Sequence, residues 1–369
     1  MIYLSIPDLR GKEWKYLKEC LDTNWITSAG HFLEDFERSL ASFVGAKYAV
    51  ACCSGTAALH VGLGLLGVQT DDEVIVPATT FIATVNAVLY YRAKPAIIDV
   101  EEQTFNMDPA KLAEAINERT KVILPVHLYG QPCQMDKIMA LADSCGVAVL
   151  EDACESIGSR YKNRHTGTFG RISAFSFNGN KIITCGGGGM IVTDDQELAR
   201  QSRHLVTQAR SGGLEYIHDA LGYNYRLTNM QAAVGLAQME RLQQMIERRC
   251  QIRNKYEQAF ANLAGWRGPG HSDGAQTNCW LYTALVEPEE FGMTSRELMK
   301  QLAQKQIEAR PIFAPVCESS HLNCPDGRER FPVAYKIWEQ GIALPSGSGL
   351  SDAQIEQVID AVLSANAKN

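Results

Sequence analysis

Lys181 follows a short apolar segment and precedes a run of glycines, a position from which its amine could form a covalent bond to a ligand. Residues 173–181 predict a strand that ends in a tight turn at this lysine, and four consecutive glycines, 186–189, follow. A lysine that forms a Schiff base must lose its proton, so it needs burial or cationic neighbours. The glycines would let the backbone approach a planar ligand closely. The competing interpretation is a solvated turn lysine beside a glycine-rich hairpin, because most lysines are exposed.

Asp152 and Glu155 offer two carboxylates at the end of another apolar segment. Asp152 ends a predicted strand, and open α/β sheets bind ligands at the carboxyl ends of their strands. A pyridoxal ring acts as an electron sink when a carboxylate keeps its nitrogen protonated, which Asp152 could do. Glu155, one helical turn later, could reach the phenolic oxygen of the same ring. Asp152 could instead cap a following helix, and the residues alone leave that choice open.

Residues 54–59, Ser-Gly-Thr-Ala-Ala-Leu, directly follow a third predicted strand. Small residues that open a helix present free backbone N–H groups to a phosphate, which makes Gly55 and Thr56 candidate ligands. An ordinary helix N-cap explains the same pattern. The segment is neither a Walker loop nor a GxGxxG fingerprint. Phe81, after a fourth predicted strand, could stack on a ring or belong to the core.

Alternating strand-like and helix-like segments must position these residues. Strands are predicted at 48–52, 73–78, 93–100, 121–126, 147–152, 172–177 and 190–193, and helices at 56–66, 109–118 and 135–145. This alternation is typical of an α/β fold with a mainly parallel sheet. One long helix is predicted over 228–263, then a strand at 279–286 and helices at 295–305 and 351–364. We predict a large domain, 1–245, and a smaller C-terminal α+β domain, 246–369.

Length and composition exclude several classes of function. A chain of 369 residues with 46% hydrophobic content can bury a large core. No apolar segment reaches the roughly 20 residues of a membrane span, and the first residues do not resemble a signal peptide, so a cytoplasmic location is expected. The net charge of −7 disfavours nonspecific binding to nucleic acid or to anionic membranes. The 11 cysteines show no CxxC pair and no metal-ligand spacing, so we expect reduced, mostly buried thiols and no metal site.

A phosphate site, an aromatic ring, a ring-nitrogen carboxylate and a Schiff-base lysine thus occur in this order, each near a strand end of one predicted sheet. Pyridoxal phosphate requires this set. With these motifs, and with residues 25–30, 36–37, 72–77, 93–95 and 222–226, the chain resembles the DegT-type sugar aminotransferases, a fold-type-I pyridoxal-phosphate family. The resemblance implies a mainly parallel central sheet flanked by helices, with a smaller C-terminal α+β domain.

The resemblance also implies a role for each matched position. Lys181 would bind the cofactor covalently and transfer protons. Asp152 would pair with the pyridine nitrogen, and Glu155, where the family often has Gln, would contact the phenolic oxygen. The stacking ring and the phosphate ligands would be Phe81, Gly55, Thr56 and Ser176. Asn224 would reach the phosphate of the neighbouring subunit's cofactor, so a homodimer with shared active sites is expected.

The expected substrate also follows from the resemblance. Residues 176–184, 205–210 and 222–226 look like the subset that aminates C4 of UDP-linked 4-keto-6-deoxy amino sugars, for bacterial glycan or nonulosonic acid biosynthesis. Glutamate is the expected amino donor; it would convert the cofactor to pyridoxamine phosphate, which would then aminate the sugar. The alternatives are a GDP-linked, perosamine-type aminotransferase, a dehydratase, and a noncatalytic regulator. Lys181 argues against the dehydratase, which often has His there. Gly187 and Cys53 depart from the family pattern but remove no required residue.

Contacts to the nucleotide sugar are harder to assign, because cations for its pyrophosphate must be few in an acidic protein. The candidates, with Thr27 and Ser28 contributed by the partner's N-terminal segment, are Thr27, Ser28, Lys162, His165, Arg226 and Arg310. Each could equally be an ordinary surface, salt-bridged or structural residue.

Overall fold

The computed structural model describes residues 1–322 and 324–366. The helices are α1 (Glu13–Asp22), α2 (His31–Val44), α3 (Gly55–Leu65), α4 (Ala83–Leu89), α5 (Pro109–Ala115), α6 (Met135–Cys145), α7 (Gln196–Val206), α8 (Asn229–Met239), α9 (Leu242–Phe260), α10 (Pro288–Phe291), α11 (Ser295–Gln304), α12 (Gly327–Arg330), α13 (Pro332–Gln340) and α14 (Asp352–Leu363). The strands are β1 (Tyr48–Cys52), β2 (Glu73–Pro77), β3 (Lys94–Ile98), β4 (Thr120–Ile123), β5 (Ala148–Asp152), β6 (Arg160–Tyr161), β7 (Arg164–His165), β8 (Ile172–Ser176), β9 (Gly189–Thr193), β10 (Trp266–Arg267), β11 (Ala275–Gln276), β12 (Tyr282–Val286) and β13 (Gly341–Leu344).

A seven-stranded sheet in the order β1-β9-β8-β5-β4-β2-β3 forms the centre of the molecule. The pairs among β3, β2, β4, β5 and β8 are parallel, and β9 runs antiparallel to both of its neighbours. The sheet is therefore mainly parallel, as predicted. The register sets Cys52 and Ser176 both opposite Gly189, so β1 and β8 end at the same edge.

Both faces of this sheet are covered, which explains why its strands are apolar along their whole length. All five residues of β2 are buried. Val74 and Val76 contribute to one hydrophobic core, whereas Ile75 belongs to another core on the opposite face. Alternate residues of a strand point to opposite faces, so a strand buried on both faces needs an unbroken apolar run.

The C-terminal part has its own small sheet, in the order β10-β12-β13, over a separate hydrophobic core. Ile2 from the N-terminus also contributes to this core. The predicted division after residue 245 falls inside α9, where Ile246 packs into the large core and Ile252 into the small one. The domain boundary stays a prediction.

The single helix predicted over 228–263 is wrong, because the structure has two helices there. α8 begins with a capping box in which Thr228 and Gln231 satisfy each other's backbone N–H groups. It ends before Arg241, whose backbone leaves the helical region at φ −114° and ψ 1°. The Arg241 guanidinium bonds Asp8 at 3.2 Å. This contact with the N-terminal segment is tertiary, so the helical periodicity of the sequence could not indicate it.

The prediction that the cysteines are all reduced is wrong for one pair. Cys317 and Cys324 form a disulfide, with their Cα atoms 5.2 Å apart. The separation of seven residues differs from the CxxC spacing, and two short 3-10 helices, Val316–Glu318 and Ser320–Leu322, occupy most of this segment. No described helix is long and apolar enough to cross a membrane.

Candidate active site

A cavity of about 350 Å³ opens at the edge of the central sheet where β5 and β8 end. Its volume lies within the usual range of small-molecule sites. Of the eight predicted cofactor-binding residues, seven line it: Gly55, Thr56, Phe81, Asp152, Glu155, Ser176 and Lys181. The fold therefore brings together residues that are more than one hundred positions apart in the sequence. The eighth, Asn224, lies outside this cavity.

Lys181 projects into the cavity from the turn that follows β8. Its side chain is only 15% exposed. The Nζ atom donates to Glu155 Oε1 at 3.2 Å and lies 4.0 Å from the centre of the Trp280 ring. The Trp280 indole N–H also donates to the carbonyl of Asn180 at 2.9 Å, which holds the turn itself. The interpretation of Lys181 as a solvated turn residue is therefore wrong.

Asp152 is a buried carboxylate at the last position of β5. Thr84 Oγ1 donates to its Oδ2 at 2.8 Å, and the backbone N–H of Cys154 donates to its Oδ1 at 3.1 Å. Among the described residues no cation forms an ion pair with it. A buried carboxylate is costly without a counter-charge, so this arrangement suits a ligand that brings a cationic N–H.

Glu155 is buried beside Asp152 and Lys181. Its Oε2 accepts the backbone N–H of Tyr129 at 2.8 Å. Burial raises the pKa of the Glu155 carboxyl above its ordinary value, with the Asp152 charge acting in the same direction, while the Lys181 ammonium and the Tyr129 N–H oppose the rise. A carboxyl with a raised pKa can hold a proton near a ligand oxygen.

The turn between β1 and α3 forms one end of the cavity. Ser54 accepts the N–H of Ala57 at 3.0 Å and so caps α3, as the N-cap interpretation expects. The first turn of a helix still leaves N–H groups without intrahelical partners, so the cap and a phosphate site are compatible. A Cβ at Gly55 would lie 2.6 Å from Cys154 Sγ and 2.9 Å from Ser176 Cβ, which explains the glycine.

Phe81, Phe313 and Trp280 line the cavity, and together with Tyr129, which stacks on Phe313 and Trp280, they are called the aromatic wall here. Phe81 is 55% exposed and therefore not a core residue. Its ring centre lies 5.7 Å from that of Phe313, which is 5.2 Å from Tyr129, and Tyr129 is 5.9 Å from Trp280. Sequence analysis missed Phe313 and Trp280, because both come from the C-terminal part of the chain and no local motif marks them. It also missed Thr84, although Thr80 and Thr84 stand four residues apart after a strand.

The segment around Asn224 does not line its own chain's cavity, although the carbonyl of Tyr225 accepts the backbone N–H of Cys53, which does. Tyr223 and Tyr225 stack at 4.9 Å and pack against His60 of α3. Because alternate residues of an extended segment point in opposite directions, the Asn224 side chain points away from that cluster. Asn224 and Arg226 are both exposed.

None of the predicted substrate residues lines the cavity of its own chain. Thr27 is exposed and Ser28 is half-buried at the N-terminal end of the molecule. Arg310 pairs with Glu308 at 2.7 Å, and Lys162 pairs with Asp136 at 2.7 Å. Within the single chain, Arg310 and Lys162 are therefore both salt-bridged residues, which is the alternative that the sequence left open.

His165 is wrong as a residue of this cavity. It lies buried in β7, with its ring centre 5.2 Å from that of Phe43. Burial and the charge of Arg160 lower the pKa of His165 to about 4. The side chain is buried against its own chain and does not line the cavity, but neither ring nitrogen has a hydrogen-bond partner among the described residues, so the structural hydrogen bond considered as the alternative is not found either.

The cavity residues fit pyridoxal phosphate. The aldehyde needs an amine shielded from water, which Lys181 provides. The ring nitrogen needs a carboxylate, and Asp152 is buried without a cationic partner in the described chain. The phosphate needs backbone N–H groups, which the first turn of α3 supplies. Phe81 borders the space between these groups.

Comparison with known proteins agrees with this chemistry. The model of the DegT/DnrJ/EryC1/StrS aminotransferase family matches residues 7–363. A GDP-perosamine synthase from Caulobacter vibrioides is 41% identical, with 98% of this chain and 97% of that protein covered. Among solved structures, S. venezuelae DesV has a TM-score of 0.91 at 34% identity, covering 97% and 95% of the chains. Spr1654 from Streptococcus pneumoniae, in its PLP form, has a TM-score of 0.93 at 27% identity, covering 99% and 98%.

Proposed function

The chain belongs to the DegT/DnrJ/EryC1/StrS aminotransferase family, and we propose that it transfers an amino group to the keto carbon of a nucleotide-linked sugar. The resemblance seen in the sequence motifs is confirmed over almost the whole chain, and the protein is a pyridoxal-phosphate-dependent sugar aminotransferase. The observation that carries the proposal is the convergence of Lys181 and Asp152 on one cavity at the strand ends.

We assign the cofactor contacts as follows. Lys181 would hold the cofactor covalently, Asp152 would receive the ring N–H, and Glu155 would lie beside the phenolic oxygen. Phe81 would cover one face of the ring. The phosphate would be bound by Gly55, Thr56 and Ser176.

When bound, pyridoxal phosphate supplies an electron sink that stabilises negative charge at the carbon next to the reacting nitrogen. Lys181 Nζ, once free of the cofactor, is the group that moves a proton to or from that carbon. Glu155 and Trp280 hold this amine inside the cavity between proton transfers. The aromatic wall restricts the access of water to it.

We further propose a homodimer in which each subunit completes the other's site. Asn224 is exposed and does not line its own cavity, so its side chain is available to a second copy of the chain. The neighbouring segment carries exposed apolar side chains at Leu214, Tyr216 and Leu221, which a dimer contact would cover. Thr27, Ser28 and Arg226 would approach the partner's substrate from the same side.

The nucleotide is the least determined feature of the substrate. Sequence motifs indicate a UDP-linked 4-keto-6-deoxy amino sugar. Relatives named GDP-perosamine synthase, at 35% to 41% identity over 98% of this chain, support a GDP-linked 4-keto-6-deoxy sugar more strongly. We therefore place the GDP-linked sugar first and the UDP-linked one second. A bacterial polysaccharide pathway in the cytoplasm, with glutamate as the donor, completes the proposal.

The decisive experiment supplies the holoenzyme with glutamate and one of three keto sugars, linked to GDP, UDP or TDP, and follows 2-oxoglutarate release together with the mass of the sugar product. Turnover with the GDP-linked sugar at the highest kcat/KM is expected. Preference for the UDP-linked sugar would instead support the substrate that the sequence motifs indicate. No turnover with any keto sugar, by an enzyme with bound cofactor, would contradict the proposed function.

A further inference from the structure

Thr84 forms a hydrogen bond that fixes the carboxylate of Asp152. The two side chains are 1% and 5% exposed, and both line the cavity. Thr84 Oγ1 donates to Asp152 Oδ2 at 2.8 Å, whereas Oδ1 accepts the backbone N–H of Cys154. The Cys154 thiol also interacts with this carboxylate. Thr84 is the hydroxyl donor that holds Oδ2.

A second threonine directs the hydroxyl of Thr84 toward this carboxylate. Thr80 Oγ1 lies 2.9 Å from Thr84 Oγ1, and Thr80 is also buried. An ionised carboxylate only accepts hydrogen bonds, so Thr84 donates to Asp152, and in the 2.9 Å contact between the two hydroxyls Thr80 is the donor. The carbonyl of Phe81, at 3.3 Å, is a second acceptor for the Thr80 hydroxyl. The direction of the chain Thr80 to Thr84 to Asp152 follows from chemistry without knowledge of the hydrogen positions.

The same pair of hydroxyls closes the turn that carries Phe81. Thr80 and Thr84 stand on either side of this residue, and their hydrogen bond joins the start of the turn to the first turn of α4. The Phe81 side chain is exposed, and its backbone carbonyl accepts the Thr84 N–H at 3.1 Å. One hydrogen-bonded unit therefore positions both the Asp152 carboxylate and the backbone of Phe81 beside the cofactor cavity.

We propose that Thr84 is a positioning residue that acts through Asp152 on the ring nitrogen of pyridoxal phosphate. The inference rests on the proposed assignment of Asp152 to that nitrogen. Thr84 contributes by holding the carboxylate in the plane and direction required for a hydrogen bond to the ring N–H, with Thr80 as its support. A hydrogen bond to a charged group contributes enough free energy to change binding by about tenfold or more.

The test measures cofactor binding by apoprotein variants, with pyridoxal phosphate and with an analogue whose ring nitrogen is replaced by C–H. Thr84→Val keeps the shape and removes the donor, and Thr84→Ser restores the donor. Thr79→Val is the matched control, since the buried Thr79 hydroxyl has no hydrogen-bond partner in the described chain. Each affinity is determined from the absorption of the bound cofactor, without any sugar present.

Thr84→Val is expected to weaken pyridoxal phosphate binding about tenfold or more while binding of the C–H analogue changes by less than about twofold. Thr84→Ser and Thr79→Val should resemble wild type with both ligands. Equal losses for the two ligands, or no loss for either, would overturn the proposal, because a purely structural role cannot distinguish them.

If circular dichroism shows that Thr84→Val does not fold, Thr80→Val takes its place in the same comparison. It removes the donor to Thr84 and is expected to cause a smaller loss, about threefold, again confined to pyridoxal phosphate. A loss shared by both ligands, or none, would contradict the inference. Because no sugar is used, failure of the substrate assignment appears only in the turnover panel and leaves this comparison unaffected.

Discussion

At the scale of single residues, the chemistry of the cavity depends on how Lys181 is held. Its amine lies between the Glu155 carboxylate and the face of the Trp280 ring. Covalent attachment of the cofactor requires the neutral amine, so the proton must leave during attachment. Glu155, whose pKa burial raises, is the adjacent group able to accept it.

Lys181→Ala should retain pyridoxal phosphate but lose turnover, because the phosphate and ring contacts remain and the covalent and proton-transferring amine is gone. Absorption spectra before and after borohydride treatment test this: the wild-type protein should keep a covalently reduced cofactor through denaturation, and the variant should release it. Lys162→Ala, which removes an exposed lysine paired with Asp136, is the matched control and should behave as wild type. Turnover by Lys181→Ala at a wild-type rate would refute the assignment.

His165 affects stability rather than catalysis. Its folded-state pKa of about 4 is below its ordinary value of 6.5, so the unfolded chain binds a proton over this interval and the folded chain does not. Stability from the neutral ring is present above about pH 6.5 and is lost as the pH falls toward 4. The loss is on the order of 3 kcal/mol.

His165→Leu should therefore flatten the decline in the free energy of unfolding between pH 6.5 and 4, whatever its effect at neutral pH. Urea unfolding at a series of pH values, followed by circular dichroism, measures both slopes. Because His165 does not line the cavity, the kcat of the variant at neutral pH should remain close to that of wild type. An unchanged slope would mean that the ring is not buried as the structure places it.

At the scale of elements, the phosphate end of the site depends on how β9 meets the turn before α3. Gly188 pairs with Ser54 in an isolated parallel bridge, and Gly189 begins β9. A Cβ on Gly189 would overlap the backbone of Ser54 and Gly55. The glycine run thus allows two backbone segments to touch beside the cavity, which is a packing role as well as a means of ligand approach.

Gly189→Ala should push the turn at Ser54 out of place, with a loss of about 2 kcal/mol in the free energy of unfolding and weaker binding of pyridoxal phosphate. Gly187→Ala is the matched control, because its Cβ would meet only Gln231 Nε2, at 3.7 Å. Thermal unfolding of the apoprotein and cofactor titration give the two quantities. Equal behaviour of the two variants would contradict the close approach at Gly189.

At the scale of the whole molecule, the central question is whether two chains form each active site. One chain brings the proposed ring contacts together in one cavity, whereas Asn224 and Arg226 are exposed and do not line it. Closed symmetric dimers are the commonest assemblies, and their interface uses the same surface patch on both copies. An outward Asn224 on each chain could then serve the phosphate site of the other.

Complementation between inactive subunits tests this arrangement. Lys181→Ala and Asn224→Ala homodimers should each be impaired, and a mixed dimer should contain one site with both wild-type residues. Unfolding and refolding an equal mixture should restore about one quarter of the wild-type activity, since half of the dimers are mixed and each has one intact site. Size-exclusion chromatography checks assembly. Activity no higher than the mean of the two homodimers would contradict a shared site.

Much of this protein was determined by its sequence. Unbroken apolar segments predicted the mainly parallel sheet, because a strand that is buried on both faces needs apolar residues along its whole length. Small residues after β1 predicted the end of the cavity beside α3, and the carboxylates at the end of β5 predicted one of its sides. The strand and glycines around Lys181 made it a candidate, and the set of motifs together with the family resemblance gave it a role.

Tertiary structure alone decided the rest. Trp280 and Phe313 reach the cavity through contacts that no local pattern encodes, and Asp8 bonds Arg241, just beyond the end of α8, from more than two hundred residues away. His165 was misplaced because a hairpin turned it into the core. Periodicity reports which face of an element is buried, whereas the identity of the partner on that face depends on how distant segments pack.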